Sequence, residues 1–173
     1  FIHVGGGDAA QGSEARVIAA NGATLGMRAP VQTWDGTVRS IARNGGLGGG
    51  DVVLSGAIAA SLAPGFALAP DADFLLAAAG PDGGPSSLKS TTRVEVTTSG
   101  QGAIQIDGAL GAGFVRLVSE AQVGIGPQGS VTGACPCDSI VIAAGGVFRN
   151  EGGPDAVRVD NPDGRWLVFI DPL

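Results

Sequence analysis

Tyrosine is absent from this 173-residue chain, and histidine, methionine and lysine occur once each, the lysine as Lys89. The only histidine is His3, so a Ser-His-Asp or Cys-His catalytic set would have to be built on a terminal segment of the kind that frays. Cysteine is limited to Cys135 and Cys137 in the motif CPC. Two thiolates and one distant imidazole do not make a tetrahedral zinc site, and two cysteines cannot supply a disulfide scaffold. The pair reads as a local disulfide or as two inert thiols in a glycine-rich bend, ahead of a redox centre. Ten Lys plus Arg against sixteen Asp plus Glu leave a net charge of −6. The basic residues are spread too thinly to neutralise a phosphate backbone, which excludes nucleic acid as a partner. No apolar run approaches the ~20 residues of a membrane span; the longest is FLLAAA at 74–79. Opening on FIHV, with neither an initiator Met nor a signal peptide, the chain is expected to be a mature or excised piece.

Helical periodicity is also missing. SEARVIAA at 13–20 is the best candidate, and it is short and suits a strand as well. What the chain has in quantity is glycine, 31 residues of it, breaking up short runs of Ala, Val, Ile and Leu. Strand patterns recur at 17–18, 37–41, 51–54, 74–76, 93–97, 103–106, 114–118, 122–125, 139–142, 157–159 and 166–170. Several alternate with period two, and Gly, Pro, Asn or Asp bounds nearly all of them. The fold class is therefore all-β, as a solenoid or a β-sandwich.

Internal similarity favours the solenoid. VLSGAIA at 53–59 and QIDGALG at 105–111 share the order aliphatic, polar, Gly, Ala, aliphatic, with Gly56 corresponding to Gly108. LAPGFALAP at 62–70 and GIGPQGSVTG at 124–133 share a proline–glycine corner between aliphatic stretches. A coil of roughly 20 residues per turn predicts about eight turns stacked ~4.8 Å apart, a rod of roughly 40 Å. One turn cannot bury its own inward Val, Ile, Leu, Ala and Phe, whereas stacking buries them in ladders. Small Ala and Gly at inward positions are expected to let the sheets approach closely.

The glycine-rich stretches admit bland readings. In NGGLGGGDVVLSG at 44–56, a calcium nonapeptide beginning at Gly45 needs Asp at position 50, which is Gly50; Asp51 is one place late and the unit is not repeated in tandem. FIHVGGGDAA at 1–10 matches the dinucleotide fingerprint at Gly5, Gly7 and Ala10, but Asp8 would oppose the pyrophosphate and no strand–helix alternation follows. No metal or cofactor site is assigned. Asp71 and Asp73 alternate onto one face if DADFLL is extended, the pairing that β-coil polysaccharide lyases and hydrolases require. Asp71 follows Pro70, however, and suits a turn cap. No catalytic residue is assigned, and a carbohydrate-active enzyme using these acids is the alternative function.

The last third adds a resemblance. GGVFRNEGG at 145–153 and GRWLVFIDP at 164–172 resemble a junction in filamentous-haemagglutinin-like adhesins of bacterial two-partner secretion, where a long right-handed parallel β-helix is followed by a phrase of the form GRWLVY..DP. The likeness is specific over about ten residues and textural elsewhere; Phe169 stands where that family usually has Tyr, and NPDG at 161–164 is adequately explained as a β-turn. It implies a single β-helical segment over 1–173 with 164–173 as a terminal junction strand. It also implies a structural or adhesive role outside the cell or at the bacterial surface, not an enzyme. The implied partners are an outer-membrane secretion transporter, a host glycan or protein, and neighbouring copies in a filament. Trp166 is expected to help close the coil's end on a half-buried strand, with sugar stacking as its minority role.

Overall fold

The computed structural model describes residues 71, 73–79, 83–90 and 92–171 in full, and the backbone path of four earlier strands at 25–28, 31–35, 52–55 and 57–61. It is all-β. The strands run β1 (Leu25–Arg28), β2 (Val31–Asp35), β3 (Val52–Ser55), β4 (Ala57–Ser61), β5 (Phe74–Leu76), β6 (Ser87–Lys89), β7 (Arg93–Thr98) and β8 (Ile104–Ile106). They continue as β9 (Ala109–Ala112), β10 (Phe114–Ser119), β11 (Gln122–Ile125), β12 (Ser130–Gly133), β13 (Asp138–Ala144), β14 (Val147–Asn150), β15 (Val157–Val159) and β16 (Arg165–Ile170).

These strands form three sheets. Sheet A is β1-β3-β5-β8-β11-β14, sheet B is β2-β4-β6-β9-β12-β15, and sheet C is β7-β10-β13-β16. Neighbours within each sheet are parallel, and from β5 onward the chain visits A, B and C in turn, so the protein is a parallel β-solenoid and the sandwich alternative falls. Winding length is uneven. Sheet A register pairs Phe74 with Ile104, Ile104 with Val123 and Val123 with Phe148, offsets of 30 (74 to 104), 19 (104 to 123) and 25 (123 to 148). Most windings exceed the expected 20 residues, so sheets A and B reach six strands where about eight turns were expected. The longest winding holds an excursion at 77–86 closed by the Ala79–Pro85 bridge and the Ser86 N to Ala78 O bond of 3.0 Å.

Alternation explains each strand. β7 and β10 bury every second side chain, as a pleated strand must when one face meets the core. Parallel register stacks those residues into columns such as Val94–Val115–Ile140 and Val96–Leu117–Ile142. Phe74, Ile104, Val123, Leu88, Leu110 and Val131 line the same core from sheets A and B, all buried. The small residues divide between the faces: Ala112, Gly133 and Ala144 are inward and buried, as expected, and others point outward. Ala109, Gly111 and Ala143 alternate with the buried Leu110, Ala112 and Ile142. The expectation that phenylalanines look inward holds for Phe74 and Phe148 and not for Phe114 or Phe169, which stand on the outer face of sheet C.

Corners carry the glycines for a steric reason. A Cβ on Gly108 would lie 2.6 Å from Ser86 O and 2.7 Å from Ala77 O, and one on Gly129 would lie 2.0 Å from Ile106 O. At these A-to-B corners each winding rests directly on the backbone of the one before, leaving no room for a side chain. The repeat VLSGAIA/QIDGALG is this corner seen two windings apart. Register through β5 and β6 aligns Leu54 with Leu76 and Ile106, and Ile58 with Leu88 and Leu110. GIGPQGSVTG forms the next such corner, closed by the Gly129 N to Gly126 O bond of 2.9 Å. The expected strands at 17–18 and 37–41, the helix candidate at 13–20 and the phrase at 62–70 lie outside the described residues.

Candidate functional site

The C-to-A corner uses the acids singled out from sequence. Asp71 is not extended: its φ is 63°, held by Asp71 N donating to Ser99 O at 3.0 Å. Its carboxylate accepts from Gln101 N at 2.7 Å, and the Asp73 carboxylate accepts from Ala103 N at 2.6 Å. The Glu120 carboxylate in the following winding accepts from Gly100 N at 2.6 Å. Asp71, Asp73 and Glu120 thus latch one winding to the next through backbone amides, a charge-assisted use of carboxylate. Asp71 does cap a turn, but that of the next winding at 99–102, and the stretch is not extended at Asp71 as the acid-pair reading required.

On sheet A's outer face, two side chains cover the glycines of β11 and its corner. Gln105 Nε2 donates to Asp107 Oδ1 at 2.6 Å, and the two side chains lie across Gly124 and Gly126 of β11 and its corner. Sheet B, by contrast, carries an open groove of about 690 Å³. Its floor is Ala109, Gly111 and Gly113, with nothing within 4 Å of a Cβ built on Gly111. Lys89 stands on one side, Thr132 and Arg158 on the other. Arg158 is paired with Asp160 at 2.9 Å. The sequence reading missed this groove because, of its strands, only 157–159 was recognised; the signal available was the lone lysine beside the small outward residues of ALGA.

At the groove's end lies the B-to-C corner with Cys135 and Cys137, which form a disulfide with Cα atoms 5.3 Å apart. Cys135 is half-buried, whereas Pro136 and Cys137 are exposed. NPDG makes the equivalent corner one winding on, as the expected β-turn, with Gly164 N donating to Asn161 O at 3.0 Å. Asp138 and Arg165 are ion-paired beside the disulfide, and the hydrogen bond first and the charge second raise the Arg165 guanidinium above its ordinary pKa.

Sheet C and the last winding present apolar surface. Val118, Val141, Ala143, Leu167 and Phe169 form outward rows on β10, β13 and β16. Elsewhere on that face Arg93 pairs with Glu95 and lies over the Phe114 ring, 5.2 Å from its centroid. Trp166, Val168 and Ile170 continue the inward columns of Ile140, Ile142 and Ala144, but no further described strand covers them. Trp166 is 52% exposed and Ile170 56%. β16 is the last described strand and is half-buried at Leu167 and Val168; Trp166 lies over Ile140 of the winding before, with half of its own surface open.

Among the described residues, no three or more His, Cys, Asp or Glu are grouped to hold a metal, and no helix is long and apolar enough to cross a membrane. His3, Gly5, Gly7, Asp8, Ala10 and the loop at 44–51 lie outside the described residues. Comparison with protein-family models, curated proteins and solved structures returned no match.

Proposed function

We propose that the chain is a structural and adhesive segment of a secreted or surface-displayed bacterial β-helical exoprotein. The observation that carries this reading is the placement of GRWLVFIDP. The phrase supplies β16, the last described strand, whose Leu167 and Phe169 extend an apolar row on the outer face and whose Trp166 and Ile170 have no described strand above them. A junction strand in a longer coil occupies such a place, and an exposed apolar row rimmed by polar residues is the kind of surface that binds a partner. The partners in this reading are an outer-membrane transporter during export, and afterwards host surface proteins or glycans, or neighbouring copies.

The test is binding of the purified chain to immobilised matrix proteins and glycans, beside a Leu167→Asp, Phe169→Asp variant and an assay for polysaccharide cleavage. Saturable binding lost in that variant supports adhesion. Absence of binding, together with polysaccharide shortening that an Asp71→Asn, Asp73→Asn double variant abolishes, would replace it with the enzyme.

A further inference from the structure

We propose that Cys135–Cys137, at the exposed B-to-C corner, is a thiol–disulfide exchange site for small thiol-bearing molecules, and that the bond is dispensable for the fold. Closing a ring across a single intervening residue restricts the unfolded chain very little, so a bridge of this span is a poor staple. The bend is already held without it. Ala134 N donates to Ala112 O at 3.1 Å, Cys135 N to Gly113 O at 2.8 Å, Ser139 N to Cys137 O at 2.8 Å and Arg165 N to Cys137 O at 3.0 Å. These bonds tie the corner to the windings on both sides.

Access is asymmetric. Cys137 is exposed and Cys135 half-buried, so an incoming thiolate meets the Cys137 sulfur first. Ser139 Oγ donates to the Cys135 carbonyl and lies 3.6 Å from Cys135 Sγ, so the half-buried sulfur is held against the corner.

The chemistry balances without further components. A thiolate RS⁻ attacks Cys137 Sγ; an R–S–Sγ bond forms, the Cys135–Cys137 bond breaks, and Cys135 leaves as a thiolate that takes a proton from water. A second thiolate attacks the sulfur of R, forming RS–SR and releasing Cys137 as a thiolate. Two thiols are oxidised to one disulfide, and the cysteine pair is reduced by two electrons.

The test incubates the oxidised chain with reduced and oxidised glutathione in graded ratios, quenches with an alkylating agent and reads the products by mass spectrometry beside far-UV circular dichroism. The expected result is opening of the pair with the β signal unchanged, glutathione trapped on Cys137 in preference to Cys135, and an unaltered melting temperature in a Cys135→Ser, Cys137→Ser variant. A pair that opens only when the chain unfolds, or a double variant that melts well below the parent, would overturn the proposal; glutathione trapped mainly on Cys135 would overturn its stated polarity.

Discussion

Ile140 and Trp166 are register partners in adjacent strands of sheet C and belong to the same inward column, yet Ile140 is 0% exposed and Trp166 is 52% exposed. The difference comes from position in the stack. Ile140 has Val115 beneath it and Trp166 above, whereas no described strand lies above Trp166. Burial in a solenoid is therefore a property of the neighbouring winding, and the same residue type stabilises in proportion to what stacks on it.

That relationship sets a ranking. Ile140→Ala is expected to cost about 2–5 kcal/mol, the range for emptying a sealed core position. Trp166→Ala, despite removing the larger side chain, is expected to cost about 1–2 kcal/mol, since half of its surface already meets water. Denaturant unfolding of the two variants checks the order; an equal or larger loss for Trp166 would mean that the end is covered.

Two glycines make an opposed pair. Gly129 lies under the Ile106 carbonyl, so Gly129→Ala has to push the windings apart and is expected to destabilise by about 1–3 kcal/mol, the usual cost of overpacking. Gly111 floors the open groove, and Gly111→Ala is expected to be neutral or stabilising by up to about 1 kcal/mol. Thermal melts of both variants decide whether backbone contact, and not glycine content as such, sets the corners.

The acids at the C-to-A corner give a local readout. Asp71→Ala removes the acceptor of Gln101 N and gives up a side chain suited to positive φ, while Asp73→Ala removes the acceptor of Ala103 N. Each is expected to cost about 1 kcal/mol, with faster hydrogen exchange at Gln101 in the first variant and at Ala103 in the second. Unchanged exchange at both amides would show that the latches do not hold in solution.

How much of this was legible in the residues depends on the sheet. Strands of sheets A and C carry two or three large inward side chains, as in RVEVTT and FVRLVS, and their alternation stands out. Sheet B strands SLK, ALGA and SVTG each offer one large inward residue among Ser, Ala, Thr and Gly, too little for a period to show. Hence most of sheet B, and the groove on it, went unseen, although the QIDGALG repeat marked the corner leading into it. Asp71 and Asp73 were visible as acids, but their partners Gln101 and Ala103 are both 30 positions on (71 to 101, 73 to 103), a distance set by that winding's excursion. Trp166 was legible as a bulky inward residue stacked on Ile140, but its own exposure was not, because that is set by what lies above it.

The buried polar contacts predict a departure from additivity. Thr98 Oγ1 and Ser119 Oγ both donate to the Gly102 carbonyl at 2.8 Å, one from each of two adjacent strands in sheet C. Gly102 is buried, so its carbonyl depends on these hydroxyls in place of water. Thr98→Val alone leaves the Ser119 donor in place and is expected to cost less than about 1 kcal/mol. Ser119→Ala leaves the Thr98 donor but also frees Ala121 N, which donates to Ser119 Oγ at 3.0 Å, and is expected to cost slightly more. The double variant strands the carbonyl, and its loss is expected to exceed the sum of the singles by about 1–2 kcal/mol, the size of an unmet buried acceptor. A double-mutant cycle by urea unfolding measures the excess directly; strict additivity would mean that the Gly102 carbonyl has another donor and that the two hydroxyls act independently.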